Sequence, residues 1–145
     1  MNKKGFTLIE LLVVIAIIAL LSTLAVVALG SARKKANDAK RLSDVKQMQT
    51  ALELFYTDKN TYPTTTASGI TLGAGSAACL NGGGFAATGC ANAYMGQVPE
   101  DPGSTDYTYT STDGTSYTIT ATLESGAGNL SAGGVEASPS GIKNQ

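Results

Sequence analysis

The sequence predicts an α+β fold: one long N-terminal helix packed on a small antiparallel β-sheet head. Three observations carry that prediction. No proline occurs before Pro63, and Gly30 is the only glycine between Phe6 and that proline. The first part of this stretch is apolar all round, while its second part spaces apolar residues by three and four. Farther on, two Tyr/Thr-rich segments alternate around Asp113-Gly114, the pattern of a hairpin. The 145 residues suit one domain of ordinary size.

The helix is preceded by MNKKGF and opens into TLIELLVV. Leu11 to Leu29 is a 19-residue apolar run interrupted only by Ser22 and Thr23. As a helix it covers about 28 Å, close to the hydrocarbon thickness of a bilayer. Small hydroxyl residues bond back to their own helix, so they do not break the span. Glu10 stands at the head of this run, where a carboxylate is costly unless it is paired. A secretory signal peptide cleaved at Ala28-Leu29-Gly30 would use Lys3 and Lys4 as its charged start. The apolar run is longer than a usual signal core, however, and Glu10 sits at its start. An ordinary signal anchor leaves Glu10 without a role.

From Arg33 to Tyr56 the pattern is polar with spaced apolar residues. Leu42, Val45, Gln49, Leu52 and Tyr56 step by three and four, one stripe read as packing against a sheet. Asp38–Arg41 and Lys40–Asp44 are read as acid–base neighbours on the wet face. A helix from Thr7 to about Tyr56 would be roughly 75 Å long. Residues 61–97, with eight glycines between Gly69 and Gly96, read as a long loop region. The hairpin joins Tyr107–Ser111 to Ser116–Leu123. A three-residue loop, Thr112-Asp113-Gly114, sets Tyr109 opposite Tyr117 and Tyr107 opposite Ile119, with Gly114 left-handed. That register keeps the apolar side chains on the helix-facing side and turns the threonines out. From Ser125 onward no period is visible, and the segment reads as loop.

The formal net charge is −1, which argues against a bulk electrostatic partner such as nucleic acid. Charge is unevenly distributed: residues 33–46 carry a local +4 and the chain from Thr61 onward a local −5. The basic band has no interleaved aromatics and reads as a solvated or subunit-pairing helix face, not a DNA or headgroup site. Counting basic residues alone would place the C-terminal side in the cytoplasm. The cysteine pair and the Gly/Thr-rich remainder point instead to export. In that compartment Cys79 and Cys90 are expected to form one disulfide, closing a glycine-rich loop. No catalytic constellation is visible: the chain has no His, and no Ser or Cys beside a recognisable base. Glu100 and Asp101, next to prolines, read as turn residues. The glycines of the cysteine loop lack the lysine of a phosphate cradle. Asn129-Leu130-Ser131 fits a glycosylation sequon. No cofactor and no metal are expected.

The run Lys4-Gly5-Phe6-Thr7-Leu8-Ile9-Glu10 resembles the class III signal of type IV pilins. Pro99-Glu100-Asp101-Pro102 followed by Tyr107-Thr108-Tyr109 is similar to the end of the type II secretion major pseudopilins and short bacterial pilins. The resemblance implies cleavage after Gly5 by a prepilin peptidase and N-methylation of Phe6. It gives Glu10 a role in assembly, pairing with the new Phe6 amine of a neighbouring subunit; a pairing within one chain is also geometrically open. It implies a pilin-like fold divided into a leader (1–5), a transmembrane and polymerisation helix (6–30) and an amphipathic helix (31–60). A disulfide-pinned loop region (61–97) and the hairpin with its C-terminal loop (98–145) would complete the head. The implied partners are further copies of the chain, the prepilin peptidase, the pilus or secretion assembly machinery of the inner membrane, and membrane lipids before assembly. The implied location is the inner membrane as a single-pass protein, then an extracellular or periplasmic filament. The alternative reading is a membrane-anchored monomeric binding protein, an adhesin or a DNA-uptake component. Two departures stand out. The proline common in the family near the position of Val27 is absent, leaving Gly30 as the residue of low helix propensity there. The loop where some major pseudopilins bind calcium offers Glu124 and Asn129 but no aspartate.

Overall fold

The computed structural model describes residues 5–145; the basic pair Lys3 and Lys4 lies outside them. The chain divides into two compact units, residues up to Lys34 and residues 35–145. One helix, α1 (Leu8–Lys59), accounts for nearly all of the first unit and supplies the core helix of the second. It extends three residues past Tyr56, and Gly30 lies within it without interrupting it. The expected back-bonding occurs at Thr23, whose hydroxyl donates to the Leu20 carbonyl at 2.8 Å.

In the second unit α1 packs on a five-stranded antiparallel sheet. Its strands are β1 (Ile70–Thr71), β4 (Thr108–Thr110), β5 (Thr118–Leu123), β6 (Gly133–Ser138) and β7 (Gly141–Asn144), in that spatial order. A separate hairpin joins β2 (Cys79–Asn81) to β3 (Gly84–Ala86). The core sets Val45, Met48, Leu52 and Phe55 of α1 with Tyr107, Tyr109, Ile119, Leu123 and Val135 of the sheet side. Along β5, Ile119, Ala121 and Leu123 are buried while Thr118, Thr120 and Thr122 are not, so the threonines face outward as their alternation requires.

Four details differ from the sequence reading. The buried face of α1 is Asp38, Arg41, Asp44, Val45, Met48, Ala51, Leu52 and Phe55. Leu42, Gln49 and Tyr56 flank it half-buried. Asp38 and Arg41 therefore do not lie on a wet face; their charges are neutralised by loops that come down onto the helix, described below. Second, the hairpin register is shifted by two residues: Tyr109 faces Ile119 and Thr110 faces Thr118. The even shift keeps the same side chains inward. The segment before β1 takes over the bonds that a tighter hairpin would have used. The Thr65 amide donates to the Ser111 carbonyl and the Tyr62 amide to the Gly114 carbonyl, at 2.6 and 2.8 Å. Gly114 is left-handed as expected (φ 73°), and a side chain there would collide with Thr61.

Third, the chain after Ser125 is a second hairpin, β6–β7, not a loop. In β6 the alternation Val135 in, Glu136 half-out, Ala137 in is present but short and composed of small residues. Fourth, the long region 61–97 holds three short strands and a 3-10 turn at Gly75–Ala77.

Leu52 is fully buried at the centre of this core. Leu52→Ala should destabilise the protein by about 2–5 kcal/mol, measured as a lower urea midpoint for the full chain in detergent micelles.

Candidate functional site

The residues of the expected processing site lie on the non-helical backbone just before α1. Gly5, Phe6 and Thr7 are exposed and non-helical. Thr7 caps the helix. The Glu10 amide donates to its hydroxyl oxygen at 3.3 Å, and the Leu11 amide to its carbonyl at 3.3 Å. In return the Glu10 carboxylate accepts from the Thr7 amide at 2.8 Å and the Thr7 hydroxyl at 2.6 Å. This is a capping box, in which a Thr and a Glu three residues later satisfy orphan backbone donors reciprocally. Sequence reasoning missed it although the Thr-x-x-Glu spacing signals it. Behind it, the large apolar side chains from Leu8 to Leu29 are exposed; Val27, for instance, is 75% exposed. The helix is long and apolar enough to cross a membrane, and none of its most apolar window is buried within the chain.

In the head the dominant polar feature is the Arg41 guanidinium, 1% exposed. Its Nε and Nη2 donate to the two oxygens of Asp101 at 2.7 and 3.0 Å, a bidentate pair. Its Nη1 donates to Asp38 at 2.9 Å and to Glu124 at 3.0 Å. Asp38 in turn accepts from the backbone amides of Glu124 and Ser125 at 2.8 and 2.7 Å. One turn on, Asp44 accepts from the buried Tyr107 hydroxyl at 3.0 Å and pairs with Lys40 at 2.9 Å. Asp38, Arg41 and Asp44 thus share the face of α1 that carries Val45 and Met48. They tie down the loop before β4 and the loop after β5. The bidentate Asp101 carboxylate, against the effect of burial, raises the Arg41 pKa still further above its ordinary value. Burial pushes the Tyr107 hydroxyl above the ordinary phenol range, with the Asp44 charge adding to the effect.

Asp101 does sit in a turn, accepting from the Gly103 amide at 2.7 Å, but its larger role is to hold Arg41. A side chain at Gly103 would meet Arg41 Nη2 at 2.6 Å, so the close approach requires glycine there. The Asp101 and Glu124 partnerships were not legible in sequence, because they join segments 60 and 83 residues from Arg41. The Asp-x-x-Arg-x-x-Asp spacing was the available signal, since it puts all three charges on one helical face. Glu124, considered above for a cation, is committed to this guanidinium, and Asn129 lies exposed in a tight turn, Ala127–Leu130.

Cys79 and Cys90 form the expected disulfide, with Cα atoms 5.7 Å apart. It fastens the buried start of β2 to the chain beyond β3. Among the described residues, no group of three or more His, Cys, Asp or Glu side chains is placed to hold a metal ion.

Burial acts against the Asp38 charge. The Glu124 and Ser125 amides and the Arg41 guanidinium outweigh it and hold the Asp38 pKa below its ordinary value. A carboxylate with a lowered folded-state pKa stabilises fully above its unfolded value, about 4, and loses that contribution as pH falls through the folded value. The head should therefore lose urea stability below about pH 4. Asp38→Asn should be weaker at neutral pH by about 3 kcal/mol and lose less on further acidification. Urea titrations of both proteins across that pH range check the sign.

Residues 1–30 match the prokaryotic N-terminal methylation motif, and residues 28–138 match type II secretion system protein G. The chain is 33% identical over 106 residues to the type II secretion system core protein G of Pectobacterium carotovorum subsp. carotovorum, covering 73% of this chain and 65% of that protein. It is 32% identical over 106 residues to the core protein G of Klebsiella pneumoniae, covering 73% of each. It is 45% identical over 75 residues to the type IV wide pilus major component PilA4 of Thermus thermophilus, covering 50% of this chain and 55% of that one. The chain thus spans just under two thirds of the Pectobacterium protein and about half of the Thermus one. No solved structure matches it. With the methylation motif at its start, and most of its length matched by one family, the chain belongs to the type II secretion system protein G family, the major pseudopilins, and is a homologue of type IV pilins.

Proposed function

We propose that this chain is a structural subunit that polymerises through the apolar half of α1 into a pseudopilus or type IV pilus. The observation that carries the proposal is the apolar surface from Leu8 to Leu29, which the described residues leave exposed. Exposed apolar surface of that extent needs another home, first a bilayer and then a bundle of identical helices. The parts of the chain follow: a leader over residues 1–5, the span and polymerisation segment over 6–30, and the remaining helix and head outside the membrane. The relatives named for type II secretion and for a wide pilus support either filament type. The prepilin peptidase, the assembly machinery of the inner membrane and surrounding lipids are the partners that this reading requires.

Cleavage after Gly5 suits the local structure. The bond follows exposed, non-helical backbone, and no described residue stands within 4 Å of where a Gly5 side chain would be. Cleavage leaves the apolar segment on the protein and creates an ammonium at Phe6. That charge appears one residue before the Thr7 amide, which the Glu10 carboxylate already accepts. Glu10 is then a capping carboxylate before processing and the partner of a cation after it. In the membrane it sits near the interface, where its cost is modest. Among packed helices it requires the amine, and pairing offsets the desolvation of both groups.

Two substitutions test this reading, each expressed as the only copy. Gly5→Leu should accumulate uncut precursor, detected by N-terminal sequencing; normal cleavage would remove the pilin-type processing. Glu10→Leu should still insert and be cut after Gly5, yet give little sheared filament. Burying the Phe6 amine without its partner costs about 3–5 kcal/mol. Normal filament yield from correctly processed Glu10→Leu subunits would show that the pairing is not needed.

A further inference from the structure

Residues 33–46 carry six basic side chains, and the sequence alone reads them as one solvated or subunit-pairing face. In the structure they separate. Arg41 is buried among Asp38, Asp101 and Glu124, and Lys40 pairs with Asp44 at 2.9 Å. Arg33, Lys34 and Lys35 lie exposed on α1 and take part in no ion pair among the described residues. Asp38 is the one acid within four residues of any of them, at i+4 from Lys34 and i+3 from Lys35. That spacing would ordinarily supply an ion pair. Asp38 is buried, however, and already accepts from Arg41 and from the amides of Glu124 and Ser125.

The three cations stand directly beyond the apolar run that ends at Leu29. Along the helix Arg33 is about 6 Å past that end and Lys35 about 9 Å. The headgroup layer on each side of the hydrocarbon is about 5–8 Å deep, and long basic side chains reach back toward such a layer. Lys40 and Lys46, about 17 and 26 Å past the run, are too far. Consecutive helical residues point about 100° apart, so the three fan over about 200° of the circumference. A single protein face meets two of them at most, whereas a headgroup layer surrounds the helix. Basic residues on the exported side of a span also oppose the usual topological bias, so three in succession there need a use. We propose that Arg33, Lys34 and Lys35 form a collar that binds the phosphates of anionic phospholipid headgroups while the chain is anchored in the membrane. This rests on the membrane anchoring given above to the apolar half of α1, and names the lipid class that the anchor selects. Guanidinium and ammonium groups meet phosphate oxygens in charge-assisted hydrogen bonds. The collar holds the free subunit in anionic lipid, and entry into a filament breaks it.

The test places the full-length chain in phosphatidylcholine vesicles that hold a trace of spin-labelled lipid. Electron spin resonance then measures how strongly labelled phosphatidylglycerol associates with the protein relative to labelled phosphatidylcholine. The unaltered chain should prefer phosphatidylglycerol by about fivefold or more, the gain of one or more cations at a charged surface. Replacing Arg33, Lys34 and Lys35 together by Gln should remove most of that preference and leave the urea midpoint unchanged. Lys46→Gln, which deletes an equal charge beyond the reach of the headgroups, should keep the preference. Raising the salt to about 1 M should weaken it, because screening then acts within about 3 Å. An equal preference in the triple variant would overturn the inference. A loss in Lys46→Gln as large as in Lys34→Gln would also overturn it, by assigning the selection to net charge. A triple variant with unaltered lipid preference but little sheared filament would assign the three residues to a subunit contact instead. If the unaltered chain inserts into vesicles of neither lipid, the anchoring itself fails, and the collar with it.

Discussion

Among the described residues, the apolar side chains of the first half of α1 lie exposed, and the remaining features of the protein answer to that constraint. A run from Leu8 to Leu29 exposed on all sides is tolerable only in lipid or against other apolar helices. The same segment must therefore serve two environments in turn. The capping box at Thr7 and Glu10 suits both, because it completes the helix end locally whatever surrounds it. Glu10, the one charged residue within this run, is held where the backbone most needs an acceptor.

A head carried on such a helix has to fold without help from the apolar segment. It does so around α1 residues 38–55 and the five-stranded sheet. The Arg41 cluster closes this arrangement. Its carboxylates come from α1, from the Pro99–Pro102 turn and from the end of β5, so one guanidinium fixes three segments that are far apart in sequence. Paired and hydrogen-bonded as it is, the cluster is weak as a source of net stability but strongly penalises loss of any member. Its value is in specifying how the two loops sit on the helix. The disulfide performs the corresponding task for the glycine-rich region around β2 and β3, where few large side chains are available to pack.

Long-period features were the most legible in the sequence. The helix, its apolar half and the inward tyrosines rest on local spacing, the N-terminal methylation motif is compact, and the cysteine pairing follows from there being two cysteines in a chain read as exported. The hairpin register was misjudged by two residues because residues 62–65 bond to the Ser111 and Gly114 carbonyls, a non-local competition that turn chemistry at Asp113-Gly114 does not reveal. The β6–β7 hairpin was missed because Gly, Ala and Ser dominate it, so that alternation around Val135 and Ala137 carries little hydrophobic contrast. Helical spacing alone places Asp38 and Arg41 in solvent, where an i, i+3 ion pair on a helix usually lies. Their burial depends on Asp101 and Glu124, and no helical period encodes those contacts.

As proposed above, this chain is the repeating subunit of a filament held together by its processed N-terminal helix. Shearing filaments from cells that express it, imaging them by electron microscopy and weighing the intact subunit tests that claim most directly. Filaments are expected whose subunit begins at an N-methylated Phe6 and carries Cys79 and Cys90 oxidised. Cells that hold the chain only as a membrane-bound monomer, or filaments whose subunit retains residues 1–5, would contradict it.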